Sequence, residues 1–266
     1  MPELKWPHLR HPREVGAMVE DQAEGWVFRQ SGRREVLPEE WPVVTVSCEF
    51  GAQGIVLGRG VAERLGFSYW DREIVSEIAR LLHMGEGTVA VFDERTRHAI
   101  EDLLGAFAPN LGATSADYAA EVRGIIDAIA GRGSAVIVGR EAQYLVDPRR
   151  ALRVRLVAPF DLRVRQIEAQ SGISGGAAKR LIVAGEKERA AFVRRSVGQN
   201  VADPVNYDLV VNTDTYSGER AEAVVLMAYL AKFSEWPVTA QVLTGKELSG
   251  RAARLPSSDR ETDRMH

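Results

Sequence analysis

The chain contains little cysteine, lysine or histidine, and it has no long apolar run. Its one cysteine, Cys48, excludes an internal disulfide framework and is typical of a reducing compartment. The longest uninterrupted apolar segment, residues 223–231, is far too short to cross a bilayer. No cationic and apolar signal opens the sequence, so we expect a cytoplasmic protein with no membrane partner. The five histidines are scattered, which argues against a metal site formed by them.

Basic charge is modest overall but is concentrated in one region. The net charge of −3 argues against a general nucleic-acid binder. Between residues 140 and 195, however, 13 Lys and Arg stand against 6 Asp and Glu. Only five of the 34 basic residues of the chain are lysines, and arginine suits bidentate phosphate contacts better. Codon usage in a GC-rich genome explains the overall ratio equally well, so the clustering is the more informative observation.

Residues 43–66 predict a strand, a glycine loop and a helix in succession. The β-branched apolar run at 43–46 predicts a buried strand. Gly51 and Gly54 then loosen the backbone, and apolar residues at every fourth position from Leu57 indicate one face of a helix. This arrangement aims backbone N–H groups and the positive helix end at an anion. In an α/β protein that anion is usually a nucleotide phosphate.

Further along, predicted strands alternate with predicted helices. We predict strands at 67–70, 134–139, 152–157 and 207–212, and helices at 71–82, 116–130, 160–170, 177–197 and 219–233, with another near 96–104. This order predicts a three-layer α/β domain with a mostly parallel five-stranded sheet, over about residues 42–233. Because ligands of such folds bind at the carboxyl ends of the strands, the residues that follow each strand are the candidates for chemistry.

The two ends of the chain predict no chemistry. Residues 1–41 form an extension with a helical candidate from about 13 to 29. We expect this extension to dock on the main domain or on a partner, either a protein or a second copy of the chain. Residues 234–266 turn polar and predict a disordered tail.

Six segments, most of them at predicted strand ends, occur in an order that resembles the cytidylate kinase-like family, a branch of the P-loop nucleoside monophosphate kinases. The segments are VTVSCEFGAQG, GFSYWDREIV, AVIVGREAQYLV, LRVRLVAPFDLRVRQI, GEKERAAFV and DPVNYDLVVNT. The resemblance covers about residues 43–233 and implies a P-loop NTPase-like domain with a helical lid at about 172–198. A dinucleotide-dependent oxidoreductase is excluded, because no G-x-G-x-x-G follows the first strand.

The resemblance also implies a reaction, which is transfer of the γ-phosphoryl group from ATP, with Mg²⁺, to a cytidine-type nucleoside monophosphate. Such a transfer depends on positioning and charge neutralisation. The implied residues are Gly51, Ala52, Gln53 and Gly54 for the phosphate loop, Asp71, Arg72, Arg140 and Glu141 for acceptor binding, Arg189, Glu186 and Arg163 for catalysis, and Arg194 and Arg195 in the lid. A lid requires its acid and arginine on one helix face, which the i, i+3 spacing of Glu186 and Arg189 allows.

The loop departs from the family pattern at its charged positions. Counted back from the end of the predicted helix, the lysine position falls on Gly54 and the hydroxyl position on Val56. Cys48 stands where the family usually has an arginine, and Arg59 is a possible replacement that we expect to face solvent. Losing a charged phosphate contact costs orders of magnitude in rate. The alternative function is therefore a catalytically weak or inactive nucleotide-binding or scaffolding protein of the same fold.

Several of these residues also have purely structural interpretations. These are a helix cap for Asp71, a pair with a core carboxylate for Arg140, an exposed ion pair for Glu186 and Arg189, and a solvated helix face for Arg163. Within the first helix we expect Gly58 and Gly60 to permit close packing rather than ligand contact.

Overall fold

A computed structural model describes residues 42–84 and 118–234, together with the helical residues 15, 17–20, 22 and 23. Its elements are β1 (Val43–Cys48), α1 (Gly54–Leu65), β2 (Ser68–Asp71), α2 (Arg72–Met84), α3 (Tyr118–Arg132), β3 (Ala135–Val138), α4 (Ala142–Leu145), β4 (Ala151–Val157), α5 (Phe160–Ser171), α6 (Gly175–Val197), β5 (Leu209–Asn212) and α7 (Glu219–Lys232). The helix predicted near 96–104 and the tail after residue 234 lie outside the described residues.

The five strands form one parallel sheet in the order β2-β3-β1-β4-β5. Strands β1, β2 and β3 are almost wholly buried, as expected for strands covered by helices on both sides, and β1 and β3 are rich in β-branched residues. The predicted three-layer α/β fold with a mostly parallel five-stranded sheet is therefore confirmed. Because β1 is the central strand, the loop that follows it lies at the middle of the carboxyl edge.

Helix α1 packs closely against the sheet and against α7 through its two interior glycines. A Cβ on Gly58 would lie 2.5 Å from Cγ2 of Val138, and one on Gly60 would overlap the carboxylate of Glu222. Both glycines therefore serve packing, as predicted, with Gly58 facing the sheet and Gly60 facing the last helix. On the other elements, α2 packs against α3, and α5 packs against α6.

The described residues of the N-terminal extension are helical and lie on the core. Val19 and Ala23 belong to the same buried apolar cluster as the strands, and Met18 packs against that cluster. Nη2 of Arg59 lies 3.1 Å from the sulfur of Met18, which adds a contact from α1. This part of the extension thus docks on the domain.

Helices α5 and α6 form a hairpin beside the carboxyl edge of the sheet. Gly172 ends α5 and Gly198 ends α6, each in the left-handed conformation with its N–H bonded back to the last turn. This is the usual way in which a glycine stops a helix. Helix α6 begins two residues before the predicted start at residue 177 and ends where we predicted. Among the described helices, none is long and apolar enough to cross a membrane.

Candidate active site

The predicted phosphate loop, Gly51–Gly54, which we continue to call the phosphate loop, joins β1 to α1 at the middle of the carboxyl edge. Gly51 has a φ of +89°, and Gln53 takes the left-handed conformation with a φ of +60°. A Cβ on Gly54 would lie 2.5 Å from the sulfur of Cys48, so the start of α1 requires a glycine. The first turn of a helix has N–H groups without intrahelical partners and a partial positive charge. The loop therefore has the backbone of an anion site.

The loop has no lysine or hydroxyl side chain that could contact a phosphate or a metal ion. Residues 51–57 contain no Lys, Ser or Thr, and Val56, the predicted hydroxyl position, is 52% exposed. Arg59 is exposed, and its guanidinium carbon lies 5.4 Å from the centre of the Tyr69 ring. Arg59 therefore faces solvent, as expected, and contacts Tyr69 and the N-terminal extension.

Arg163 is buried between the phosphate loop and α6. Its Nε donates to the carbonyl oxygen of Ala158 at 3.0 Å and lies 3.5 Å from the carboxylate of Glu49. Its Nη1 donates to the carboxylate of Glu186. The interpretation of a solvated helix face is thus wrong, because α5 turns this side chain inward where two carboxylates balance its charge. Arg163 ties together the end of β1, the turn after β4, and α6.

Arg189 extends from α6 to the carboxyl end of β1. Its Nη1 donates to the backbone carbonyl oxygen of Cys48, and its Nη2 donates to Oγ of Ser47 at 2.8 Å. Glu186, three residues earlier, pairs with Arg163 instead. The interpretation of an exposed Glu186–Arg189 ion pair is therefore wrong, since Glu186 pairs with Arg163 on α5 and Arg189 bonds to the end of β1. Arg189 places a cation beside the phosphate loop.

Glu141 lies next to Arg189 and begins α4 with a left-handed backbone. Burial raises the pKa of the Glu141 carboxyl, although attraction to Arg189, a hydrogen bond from Ser196 and attraction to Arg140 oppose this shift. The Oγ of Ser196 is 3.5 Å from the carboxylate. A carboxylate from the end of β3 and a guanidinium from α6 thus meet near the end of β1.

Asp71 caps α2. Its Oδ1 accepts the N–H groups of Glu73 at 2.9 Å and Ile74 at 3.1 Å, and its Oδ2 accepts the hydroxyl of Tyr69 at 3.0 Å. The side chain is only 2% exposed. The structural interpretation of Asp71 is therefore confirmed, with the correction that Asp71 ends β2 rather than starting the helix. The acceptor-binding role of Asp71 stays a prediction.

Arg140 joins the end of β3 to the first turn of α2. Its Nη2 donates to the carbonyl oxygen of Arg72 at 3.1 Å and to the hydroxyl of Ser76. The structure thus places the Arg140 side chain against the backbone of Arg72, and the acceptor-binding role of these two residues stays a prediction. Arg194 and Arg195 occupy the last turn of α6 and are exposed, and in the described part of the chain neither donates to the phosphate loop.

A buried polar network beneath Arg189 was missed by the sequence reasoning. Arg155 on β4 is 6% exposed, and its Nη1 lies 3.1 Å from Oγ of Ser47 and 3.5 Å from the hydroxyl of Tyr207. That hydroxyl donates to the carbonyl oxygen of Val201 at 2.8 Å. The available signal was the pair of arginines at alternate positions of β4, Arg153 and Arg155, inside a strand that the fold must bury.

A cavity of about 200 Å³ opens on the other side of the phosphate loop. It is lined by Gly51 and Gln53 from the loop, Leu162 and Gln166 from α5, and Thr213, Asp214 and Ser217 from the segment after β5. The lining combines backbone, amide, hydroxyl and carboxylate groups with one apolar side chain. Such a mixture suits one end of a small polar ligand.

Comparison with solved structures supports the fold. A crystal structure of an uncharacterized protein from Eubacterium ventriosum is 17% identical, covers 72% of this chain and 99% of its own, and gives a TM-score of 0.53. A shikimate kinase from Bacteroides thetaiotaomicron is 16% identical, covers 73% and 99%, and has a TM-score of 0.41, which is too low to support an argument.

Comparison of sequences identifies the family. A uronate isomerase of Corynebacterium glutamicum is 29% identical over 129 residues, or 48% of this chain. The chain spans about a quarter of that relative, since the match covers 24% of its length. The model of the cytidylate kinase-like family matches residues 43–215, which include the whole sheet and the α5–α6 hairpin. This chain therefore belongs to the cytidylate kinase-like family.

Proposed function

We propose that the protein is a nucleotide phosphotransferase that moves the γ-phosphoryl group of ATP to a cytidine-type nucleoside monophosphate. The observation that carries this proposal is the position of Arg189. Its guanidinium bonds to the carbonyl oxygen of Cys48 and the hydroxyl of Ser47, where β1 meets the phosphate loop. A cation at that point can neutralise the charge of a phosphoryl group in transfer.

The donor nucleotide is proposed to bind along the phosphate loop. Gly51 and Gln53 contribute to both the loop and the 200 Å³ cavity, so phosphates on the loop would leave the rest of the nucleotide near that cavity. The cavity is smaller than the 300 Å³ or more of typical ligand pockets, about enough for one end of a nucleotide. Backbone N–H groups of the loop would hold the phosphates.

The acceptor monophosphate is proposed to bind on the opposite side of β1. Arg140 and Glu141 follow β3, and Arg140 is held by the first turn of α2. The α5–α6 hairpin would act as the lid over about residues 172–198. Arg163 would hold the lid to the loop through Glu49 and Glu186. A closed lid excludes water and so limits hydrolysis of ATP.

Mg²⁺ accompanies ATP in phosphoryl transfer, where it neutralises charge on the phosphates. The described residues do not fit a Mg²⁺ site of the usual kind. Residues 51–57 offer no hydroxyl ligand, and within residues 42–84 and 118–234 no three His, Cys, Asp or Glu side chains converge on one point. We therefore derive no step that depends on a metal held by the protein.

The test is ADP formation with ATP, Mg²⁺ and each nucleoside monophosphate in turn. We expect turnover that depends on a cytidine-type acceptor, and we expect Arg189→Ala to lower it by about a hundredfold or more. Lys187→Ala is the matched control, because it removes one exposed positive charge from the same helix. Nucleotide binding without acceptor-dependent turnover would overturn the proposal.

That outcome would favour the second candidate function, a catalytically inactive nucleotide-binding protein. The observation in its favour is the chemistry of the loop, because Gly54 and Val56 stand at the lysine and hydroxyl positions. In that case Arg189 would still be needed for binding, and the Arg189→Ala variant would lose nucleotide affinity while Lys187→Ala would not.

A further inference from the structure

Arg155 is a buried cation without a carboxylate partner in the described part of the chain. Its side chain projects from β4 beside Ser47, which lies opposite it in the sheet register. Its contacts are two neutral oxygens, Oγ of Ser47 and the hydroxyl of Tyr207, and the face of the Tyr207 ring at 5.5 Å. Burying a charge is costly unless an opposite charge lies nearby. The fold therefore keeps a positive charge at the carboxyl edge that its own described residues do not neutralise.

A second guanidinium shares the same oxygen. Nη2 of Arg189 lies 2.8 Å from Oγ of Ser47, and Nη1 of Arg155 lies 3.1 Å from it. Ser47 is fully buried, so solvent does not separate the two cations at that oxygen. Like charges this close repel each other in a medium of low dielectric constant. An anion that contacts both guanidinium groups would convert this repulsion into attraction.

The polar side chains nearest to Tyr207 and Arg155 are also neutral. Gln143 is 2% exposed, and its amide lies beside the hydroxyl of Tyr144. Gln143 neighbours Tyr144, whose hydroxyl lies close to Tyr207 and in the field of Arg155. Burial raises the pKa of Tyr144 to about 12, so this phenol keeps its proton at neutral pH. These neighbours are neutral amide and phenol groups, so they bring no opposite charge to Arg155.

We propose that Arg155 and Arg189, with the hydroxyl of Ser47 between them, form a binding site for a phosphate group at the carboxyl ends of β1 and β4. Guanidinium groups suit this ligand because their N–H donors match the oxygens of phosphate in pairs. The inference deepens the proposed function, and it rests on that function for the identity of the bound group as a phosphoryl group of a nucleotide. In this site β4 supplies the cation that is missing from the phosphate loop at Gly54.

The site is tested by the affinity of the full chain for inorganic phosphate, measured by calorimetry without any turnover. We expect Arg155→Met to weaken phosphate binding about tenfold or more, because a charged hydrogen bond to the anion is lost. Arg165→Met is the matched control, since it removes an exposed arginine from α5. If folded Arg155→Met binds phosphate as tightly as Arg165→Met does, the site is overturned.

Two further variants keep the test decisive if Arg155→Met does not fold. Arg155→Lys retains the charge but loses the planar fork, and Ser47→Ala removes the shared hydroxyl. We expect each to bind phosphate several-fold more weakly than the wild type, and unchanged affinity in both would overturn the proposal. Circular dichroism and thermal unfolding establish that each variant is folded.

The source of the phosphate is resolved by competition. Displacement of inorganic phosphate by ATP or by a nucleoside monophosphate supports a nucleotide phosphoryl group as the natural occupant. Phosphate that binds through Arg155 but is not displaced by nucleotides overturns that identity and assigns the site to free phosphate. Failure of turnover in the wild type, with phosphate binding intact, would refute the proposed phosphotransferase activity and leave the anion site in place.

Discussion

Gly51 offers a direct test of how tightly the phosphate loop packs against α5. Its φ is +89°, and a Cβ there would lie 2.8 Å from the carbonyl oxygen of Arg163 and 3.0 Å from its Cβ. Gly66, at the end of α1, also has a positive φ, of +65°, but a Cβ there would meet nothing within 4 Å. Replacing each by alanine therefore separates the cost of the backbone conformation from the cost of the contact.

The expected magnitudes follow from these two terms. An alanine held in a left-handed conformation costs about 1–2 kcal/mol, and both variants lose this amount. The contact with Arg163 must be relieved by movement of backbone on both sides, which costs about 1–3 kcal/mol more. We therefore expect Gly51→Ala to lower the free energy of unfolding by about 2–5 kcal/mol and Gly66→Ala by about 1–2 kcal/mol.

Urea denaturation with linear extrapolation measures both losses, and a shared m-value would show that the folded and unfolded ensembles remain comparable. Nucleotide affinity is the second readout. Because relief of the contact moves the loop, Gly51→Ala should weaken nucleotide binding, whereas Gly66→Ala should leave it unchanged. Equal losses of unfolding free energy in the two variants would refute the close packing of the loop on α5.

Two more predictions concern titratable groups. Burial disfavours the Asp208 carboxylate, but hydrogen bonds from Arg153 and Lys232 outweigh it and lower the pKa of Asp208. Asp208→Asn should therefore cost about 1–3 kcal/mol of unfolding free energy at pH 7. This difference should disappear as the pH falls through that lowered pKa, in chemical denaturation at several pH values. For Glu141 the pH dependence of stability has the opposite sign, because burial raises its pKa in the folded state despite the attraction to Arg189. The stability of Glu141→Gln relative to wild type should rise as the pH increases through that raised pKa, and a difference independent of pH would contradict this account.

The fold was predictable because its signals are local. The apolar, β-branched strands and the glycines that punctuate them repeat along the sequence with the periods of strands and helices. A predicted boundary differs from the one in the structure where the side chain and the backbone of a residue have separate roles. At Asp71 the backbone completes β2 while the carboxylate caps α2, and a pattern of residues does not separate these two roles.

The partners of the arginines were not predictable from spacing. Glu186 and Arg189 have the spacing of an ion pair within one helix, yet Glu186 binds Arg163 on α5 and Arg189 binds the end of β1. Contacts between elements depend on how α5 and α6 pack on the sheet. The charge-assisted hydrogen bonds between elements are stronger than an exposed ion pair within one helix. Glu186 and Arg189 therefore bond to partners on other elements rather than to each other.

By itself, the sequence determined the parallel sheet and the glycine turn between β1 and α1, because each of these depends on residues close together in the chain. Only the tertiary structure decided which cations stand at the carboxyl edge. Arg155 lies more than 100 residues from Ser47 in the chain, and the register of β1 against β4 brings them together. Because Arg155 is buried, its charge interacts with neighbouring groups far more strongly than the same charge would in water.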